Sequence, residues 1–595
     1  LAGGIAACSA GSPVGTTGQP SGSGASTATG GKGGSVGSGG SSARASGGSS
    51  GSTTGGSSQG GSNATGGSSG SGGSSGSSGS GGVVGQVLDC PNGAQLGSPV
   101  LRLLTRREFE NTINDVFPSV QGQWTDSLPS NVVTAYGFDN DAGAVVGNQL
   151  ASALLDTSLA IATAVTGSGL TSILSCAASS ADHACAKTFL DQYGKRLFRR
   201  AMTNAEEQRY LTLFDTGLAA ADFKTALKYV IAGLIQSPNS VYRSEIGTVA
   251  GNTRKLSNDE LATELAYTFT GSTPSATLLT QAESSNFDPV ATAKALLQTD
   301  GGKEMVQQFF SAYVAYSNTT GVLRNLTDPA AQSGDDYTDV ASDMVNETRA
   351  FIGDVVIGKS GSFDDLLTAN TTNPSKKLAT YYNANFPTPG SDYASITRPA
   401  GTGIGILAQG SFLATHANGS YSSPTQRGLF VYYRLLCQPK LTPPTNVPPI
   451  TDSDTQAAKT TRELYETTHL TGGGSCKGCH VNFDPIGFGF EDFDQGGRYR
   501  KTQNGNPVDP SGQVLDPDGN PMFTFKTEED LVTQLAALPE AAQCFSAYMA
   551  TYAFGSAASC IGSSNSGKLH DGSISIVDAY AALASEPNFT QRNAQ

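Results

Sequence analysis

After Cys90 the apolar residues fall at helical spacing, and polar caps mark where the helices begin. Thr105 and Glu108 form a capping-box pattern ahead of Phe109, Ile113, Val116 and Phe117, which share one helical face. Thr203 with Glu206 repeats the device. Ser257 with Glu260 adds a Leu256 to Leu261 staple before Leu265 and Phe269. Further apolar runs of helical length cover Gln149 to Thr166, Phe223 to Gln236 and Val340 to Val356, while strand-like alternation is scarce. Residues from about 95 to 580 are therefore expected to be mainly α. Gly and Pro punctuation at Gly271 to Pro274, Pro387 to Gly390 and Pro443 to Pro449 divides them into several small helical modules. The expected boundaries are 95–170, 176–245, 255–390, 400–503 and 504–585.

The N-terminal pattern is different in kind. From Ser9 to about Gly82 the chain is almost entirely Gly, Ser, Thr and Ala, with no apolar period that could offset the entropy of ordering it. Residues 9–82 are expected to be a disordered tether, its ends on the order of 45–50 Å apart. Before it, residues 1–8 read as the trailing end of a signal region, and Ile5-Ala6-Ala7-Cys8 resembles a lipobox, which implies lipidation at Cys8. The expected setting is an exported, membrane-tethered lipoprotein of the cell envelope, displayed on an outer membrane.

Composition narrows the function. The 595 residues carry a formal charge of −14 and only 14% charged positions, with no basic run of the kind a phosphate backbone needs, so nucleic acid is not expected as a partner. A single tryptophan, Trp124, argues against the aromatic platforms of a carbohydrate module. No stretch approaches 18 to 20 consecutive apolar residues. Glycine patterns of nucleotide enzymes and nucleophile elbows are not found.

Nine cysteines separate into three uses. Besides Cys8, two stand in Cys476-Lys477-Gly478-Cys479-His480, the C-x-x-C-H pattern of covalent c-type haem attachment. Thiols at i and i+3 share one side of a helical turn and can bond both vinyl groups, while the adjacent imidazole reaches the iron. Haem c is the expected cofactor, held by Cys476 and Cys479 with His480 as iron ligand. Three alternatives stay open: a thioredoxin-type dithiol, a zinc site whose nearest further ligand, His469, lies across a glycine run, and a plain Cys476–Cys479 disulfide. The other six thiols suit disulfides outside the cytoplasm. Local pairing is expected for Cys176 with Cys185 and for Cys544 with Cys560, which leaves Cys90 with Cys437.

The residues around this motif carry a resemblance. Cys476-x-x-Cys479-His480, Asp484-Pro485, Gly487-Phe488, Glu491, Phe493-Asp494 and Gly497-Arg498 look like the signature of a family of exported bacterial proteins built from consecutive domains of unknown function. The likeness names DUF1587, DUF1595, DUF1592, DUF1588 and DUF1585. It extends upstream through Leu104 to Glu108 with Asn111 and Asp115, Phe198 to Arg200, Leu256 to Gly271, and Gly405 to Gly428, and downstream through Asp509 to Gly512 and Tyr552 to Gly555, where Ser556 replaces the family's usual Arg. What it implies is a cell-envelope protein with a cytochrome c-like segment.

A haem iron needs a second axial ligand or an open face, and that choice separates electron transfer from catalysis. His416 is the first candidate and Met549 the second, against the plainer readings of a loop histidine and a core methionine. Asp484, Glu491 and Asp494 are read as capping turns or pairing with Arg498 and Arg500 rather than holding calcium, and Asp516 to Asn520 as a turn. The leading expectation is a monohaem one-electron carrier with an unknown redox partner. A haem oxidoreductase acting on an extracellular substrate is the alternative, as is a haem-free structural or binding lipoprotein. The sequence alone does not decide whether the chain is an enzyme.

Overall fold

The computed structural model describes residues 96–594, except 168, 180, 317–336, 383–385, 419–420, 443–449, 472–475 and 557–562. Cys8, the 9–82 segment, Cys90 and Cys560 lie outside the described residues. The described chain is mainly helical, and its strands are short. All three expected capping boxes are present, heading the helices Arg106–Val116, Asn204–Ala220 and Asn258–Thr270. In the first, the Glu108 backbone N–H donates to Thr105 Oγ1 at 3.2 Å and the Thr105 N–H donates to Glu108 Oε2 at 2.8 Å, satisfying two donors that the helix itself cannot. The helix Asn258–Thr270 ends on Gly271 at φ 65°, where a Cβ would stand 2.7 Å from Met305 Sδ, so this stop needs glycine.

Two large cores organise the described body. The first joins residues from Leu104 to Val241, with Tyr267 added from the helix Asn258–Thr270. Here the helix Asn148–Thr166 lies against Phe223–Gln236, which packs in turn on Asn204–Ala220. Asn148–Thr166 is 19 residues long and apolar enough to meet the length and composition of a membrane span. The uninterrupted-run reading missed it because Ser, Thr and Asp156 break the run. In the fold it buries Leu154, Ile161 and Val165 at helical spacing. The second core runs from Phe138 to Phe589 and gathers Phe309, Phe310, Tyr313, Phe545, Tyr548 and Tyr552 into one stack of edge and face contacts.

Short strands tie distant parts of the sequence. Val100–Leu103 pairs antiparallel with Tyr242–Glu245, and Gln591–Asn593 pairs with Thr253–Lys255, which pairs with Thr248–Ala250. Beneath them lies a buried ionic cluster. Arg243, 2% exposed, faces Glu108 at 3.8 Å, Glu245 at 3.4 Å and Glu264 at 3.9 Å, while Arg592 reaches Glu245 at 2.5 Å. Such charges cost several kcal/mol to desolvate and are kept because each is paired.

Cys176 and Cys185 form a disulfide. Cys437 corrects the sequence reading. It bonds Cys544, a separation of 107 residues, so neither Cys90–Cys437 nor Cys544–Cys560 is formed. The physical reason is facing, not proximity in sequence: Cys544 lies on the wholly buried side of the helix Pro539–Phe554, turned toward the carbonyl of Arg434 at 3.3 Å. Cys437 comes two residues after that segment, the π-helical turn Val431–Leu435.

Candidate functional site

The site is built on a crossing of two short helices. Pro424–Phe430 meets Asp484–Gly487 at Gly428 and Gly487, and there is no room for a methyl group at either: a Cβ on Gly428 would stand 1.9 Å from the Phe483 carbonyl, and one on Gly487 1.8 Å from that of Pro424. Beside the crossing Arg427, fully buried, donates to the carbonyls of Phe490 (2.9 Å), Phe493 (3.0 Å), Leu413 (3.0 Å) and Asp494 (2.8 Å). One guanidinium thus fixes the segment Phe490 to Asp494 to the helix Gly410–Thr415, which carries Leu413. Burial lowers the Arg427 pKa to about 10, with Glu491 and Asp494 opposing.

This crossing brings Thr425 onto Asp484. The Thr425 hydroxyl donates to Asp484 Oδ1 at 2.6 Å, and the other oxygen, Oδ2, accepts from two imidazoles: His480 Nδ1 at 2.9 Å and His469 Nδ1 at 3.0 Å. All three groups are buried, with exposures of 0% for Asp484, 2% for His469 and 4% for His480. Burial alone would raise the Asp484 carboxyl, but the hydrogen bonds and charge of His469 and His480 outweigh it and hold the group below the usual carboxylate range. Tyr465 lies edge-on to His469 at 4.8 Å and Phe483 covers His480 at 4.9 Å, so the cluster is walled by rings.

The cysteines stand at the rim. Cys476 opens the turn Lys477–His480, and its carbonyl accepts from the N–H groups of Cys479 (3.1 Å) and His480 (3.0 Å). Both cysteines are partly exposed, and neither takes part in a disulfide among the described residues. Burial, with Cys476 adding to it, raises the Cys479 thiol. The donor set fits a covalently attached c-type haem: two thiols on one helical turn and an imidazole whose Nδ1 is tied to a carboxylate, leaving Nε2 as the nitrogen facing away from that carboxylate.

The expected second ligands lie elsewhere. His416 bonds the Phe412 carbonyl through Nδ1 at 2.9 Å and packs on the rings of Phe412 and Phe430, in the second core. Burial lowers its pKa to about 4. Met549 is a core residue of the helix Pro539–Phe554. Among the described contacts none joins His416 or Met549 to Cys476, Cys479 or His480. Asp494 pairs with Arg498 and Glu491 with Arg500, at 2.8 and 2.9 Å, and Asp516 accepts from the backbone of Asp518 and Asn520 in a turn.

His469, set aside in the sequence because of the glycine run, is the residue brought onto His480. The ring centres are 3.9 Å apart. Two nitrogen bonds across a metal span about 4 Å before the ring radii are added, so the pair does not stand on opposite faces of one iron. The sequence does hold a signal for it. His469 follows the wholly buried Tyr465 by one helical turn, which puts both on the inward face.

Four segments match family models, each described as a protein of unknown function: PSD3 (DUF1587) over residues 102–167, PSD5 (DUF1595) over 185–245, PSD4 (DUF1592) over 256–384 and PSCyt3 (DUF1588) over 404–503. The buried cluster and both rim cysteines fall within the last of these. No curated protein and no solved structure matches the chain. The likeness of 504–585 to DUF1585 stays an expectation.

Proposed function

Because the chain belongs to the multi-module family that strings DUF1587, DUF1595, DUF1592 and DUF1588 segments in this order, we propose that it is a cell-envelope lipoprotein. It holds one c-type haem on Cys476 and Cys479, with His480 as iron ligand, and passes single electrons. The observation that carries this reading is the tie of His480 Nδ1 to Asp484 Oδ2 at 2.9 Å, one residue away from a pair of rim thiols. When bound, the haem supplies one-electron exchange at a potential set by its ligand and surroundings.

The chain's own residues do the rest. Asp484 accepts the Nδ1 proton of His480, which selects the tautomer that offers Nε2 and stiffens the ring. Thr425 occupies the other carboxylate oxygen, so Asp484 cannot turn away. Tyr465 and Phe483 keep water from the imidazoles. Cys8 and the Gly/Ser segment after it supply the anchor and tether in this proposal, with the lipobox likeness as support.

A reduced-minus-oxidised visible spectrum of protein matured in an exporting host tests the reading. A c-type band that disappears in Cys476→Ser supports it, and a colourless protein at the bare polypeptide mass defeats it. Carbon monoxide binding without displacement of a protein ligand would move the reading to a haem oxidoreductase.

A further inference from the structure

His469, His480 and Asp484 are more than two imidazoles and their counter-ion. They come from three separate pieces of backbone: the π-helical turn Glu466–Thr471, the turn Lys477–His480 and the helix Asp484–Gly487. The fold converges them, with one ligand atom from each lying within 4.8 Å of the others. The two edges that meet at Asp484 Oδ2 measure 2.9 and 3.0 Å. Ligands about 2.1 Å from one ion at a right angle are separated by about 3.0 Å, so these edges match adjacent corners of a coordination shell. The supporting contact is in place as well, since Thr425 holds the carboxylate by its outer oxygen at 2.6 Å.

We propose that the haem-free chain binds one divalent first-row transition-metal ion through His469 Nδ1, His480 Nδ1 and Asp484 Oδ2. The donor set is two imidazoles and one carboxylate, which suits such ions and offers calcium or magnesium too few oxygens. Cys476 and Cys479 take no part, since the cluster that closes within ligand distance does not include them. Binding through Nδ1 places each ring proton on Nε2, so the ion and a haem iron compete for His480. The inference goes beyond the haem reading and does not require it. It concerns the chain before attachment, or one that never carries haem.

The test uses the full chain with Cys476→Ser and Cys479→Ser, which cannot hold haem covalently, titrated with Co²⁺ and then Zn²⁺. One Co²⁺ per chain is expected, with ligand-field bands in the visible and no sulfur charge-transfer band. Affinity should fall at least tenfold in His469→Gln and in Asp484→Asn, each first shown to be folded by circular dichroism and a cooperative melt. X-ray absorption at the zinc edge of the chain with both cysteines intact provides a measurement that needs no ligand variant, and a nitrogen/oxygen shell with imidazole scattering is expected. Failure of the folded protein to bind Co²⁺, undiminished affinity in both ligand variants, or sulfur in the zinc shell would each overturn the proposal. A negative result here leaves the haem spectrum of exported protein untouched, and a missing haem spectrum leaves this titration untouched.

Discussion

Cys437 and Cys544 are bonded to each other across 107 residues, joining the end of the turn Val431–Leu435 to the buried side of the helix Pro539–Phe554. A cross-link that closes a loop of about 100 residues removes much of the unfolded chain's freedom, worth about 4.7 kcal/mol by chain entropy. Replacing both cysteines with Ala should lower the unfolding free energy by about 2–5 kcal/mol in a urea titration. Because Tyr548 donates from its hydroxyl to the Tyr433 carbonyl at 3.2 Å beside the bond, the local packing should survive. A change below about 0.5 kcal/mol would show that the loop is already confined in the unfolded state.

Arg427→Lys should be far from conservative. Lysine has no planar fork, so it cannot serve four carbonyls from two chain segments at once. Unpartnered buried carbonyls cost about 1–3 kcal/mol each, and the expected loss is about 3 kcal/mol or more, measured by thermal or chemical unfolding. A variant within 1 kcal/mol of the parent would mean that water replaces the missing bonds.

Two glycines of the site should respond in opposite ways. Gly428→Ala drives a methyl group into the Phe483 carbonyl and should destabilise by at least about 1–3 kcal/mol while loosening Thr425 from Asp484. Gly478→Ala, inside the C-x-x-C-H segment, meets nothing within 4 Å and should be neutral or stabilising by up to about 1 kcal/mol, since alanine is the better helix former. Paired melting curves read both.

Stability should fall from mildly acid to mildly alkaline pH. Burial pushes the Glu528 carboxyl from its ordinary value near 4.5 up to about 8, although the Ile404 backbone N–H donates to its Oε2 at 3.0 Å. Asp492 is raised to about 6, again chiefly by burial. Between the ordinary value and the raised one, the folded chain holds a proton that the unfolded chain has lost. The stabilisation is complete below about pH 4 and is lost as pH climbs through 6 for Asp492 and 8 for Glu528. Buried Glu528 contributes a slope on the order of 1.4 kcal/mol per pH unit inside its window, and the more exposed Asp492 contributes less because solvent screens it. Glu528→Gln should flatten the upper part of the profile. An unchanged slope between pH 6 and 8 would place the effect on other groups.

What the sequence disclosed and what it withheld follow from range. Thr105 with Glu108, Thr203 with Glu206 and Ser257 with Glu260 satisfy helix ends within three residues, so composition and spacing suffice to find them. The turn that carries Cys476, Cys479 and His480 is equally local. Cys437 with Cys544 is not, because which thiol faces which depends on how the helix Pro539–Phe554 settles against Val431–Leu435. His469 was hidden for a similar reason: a glycine run erases the spacing that would tie it to His480, and the two meet through the shared carboxylate of Asp484 and the contact of their rings, neither of which spacing reveals. Thr425 gave no signal at all, since it reaches Asp484 through a helix crossing set by two glycines.

The pairing of Gln591–Asn593 with Thr253–Lys255, and of Arg592 with Glu245, means that the last described strand completes a sheet laid down less than halfway along the chain. The named segments are accordingly not beads that can be unthreaded. A fragment cut at residues 404 and 503 would strip Phe430 of Tyr313, Cys437 of its bond to Cys544 and the Tyr433 carbonyl of the Tyr548 hydroxyl, presenting water with a raw apolar face where the intact chain has an interior. Production of this protein for any of these measurements therefore has to keep the whole folded body, from the strand at Val100 to the strand ending at Asn593.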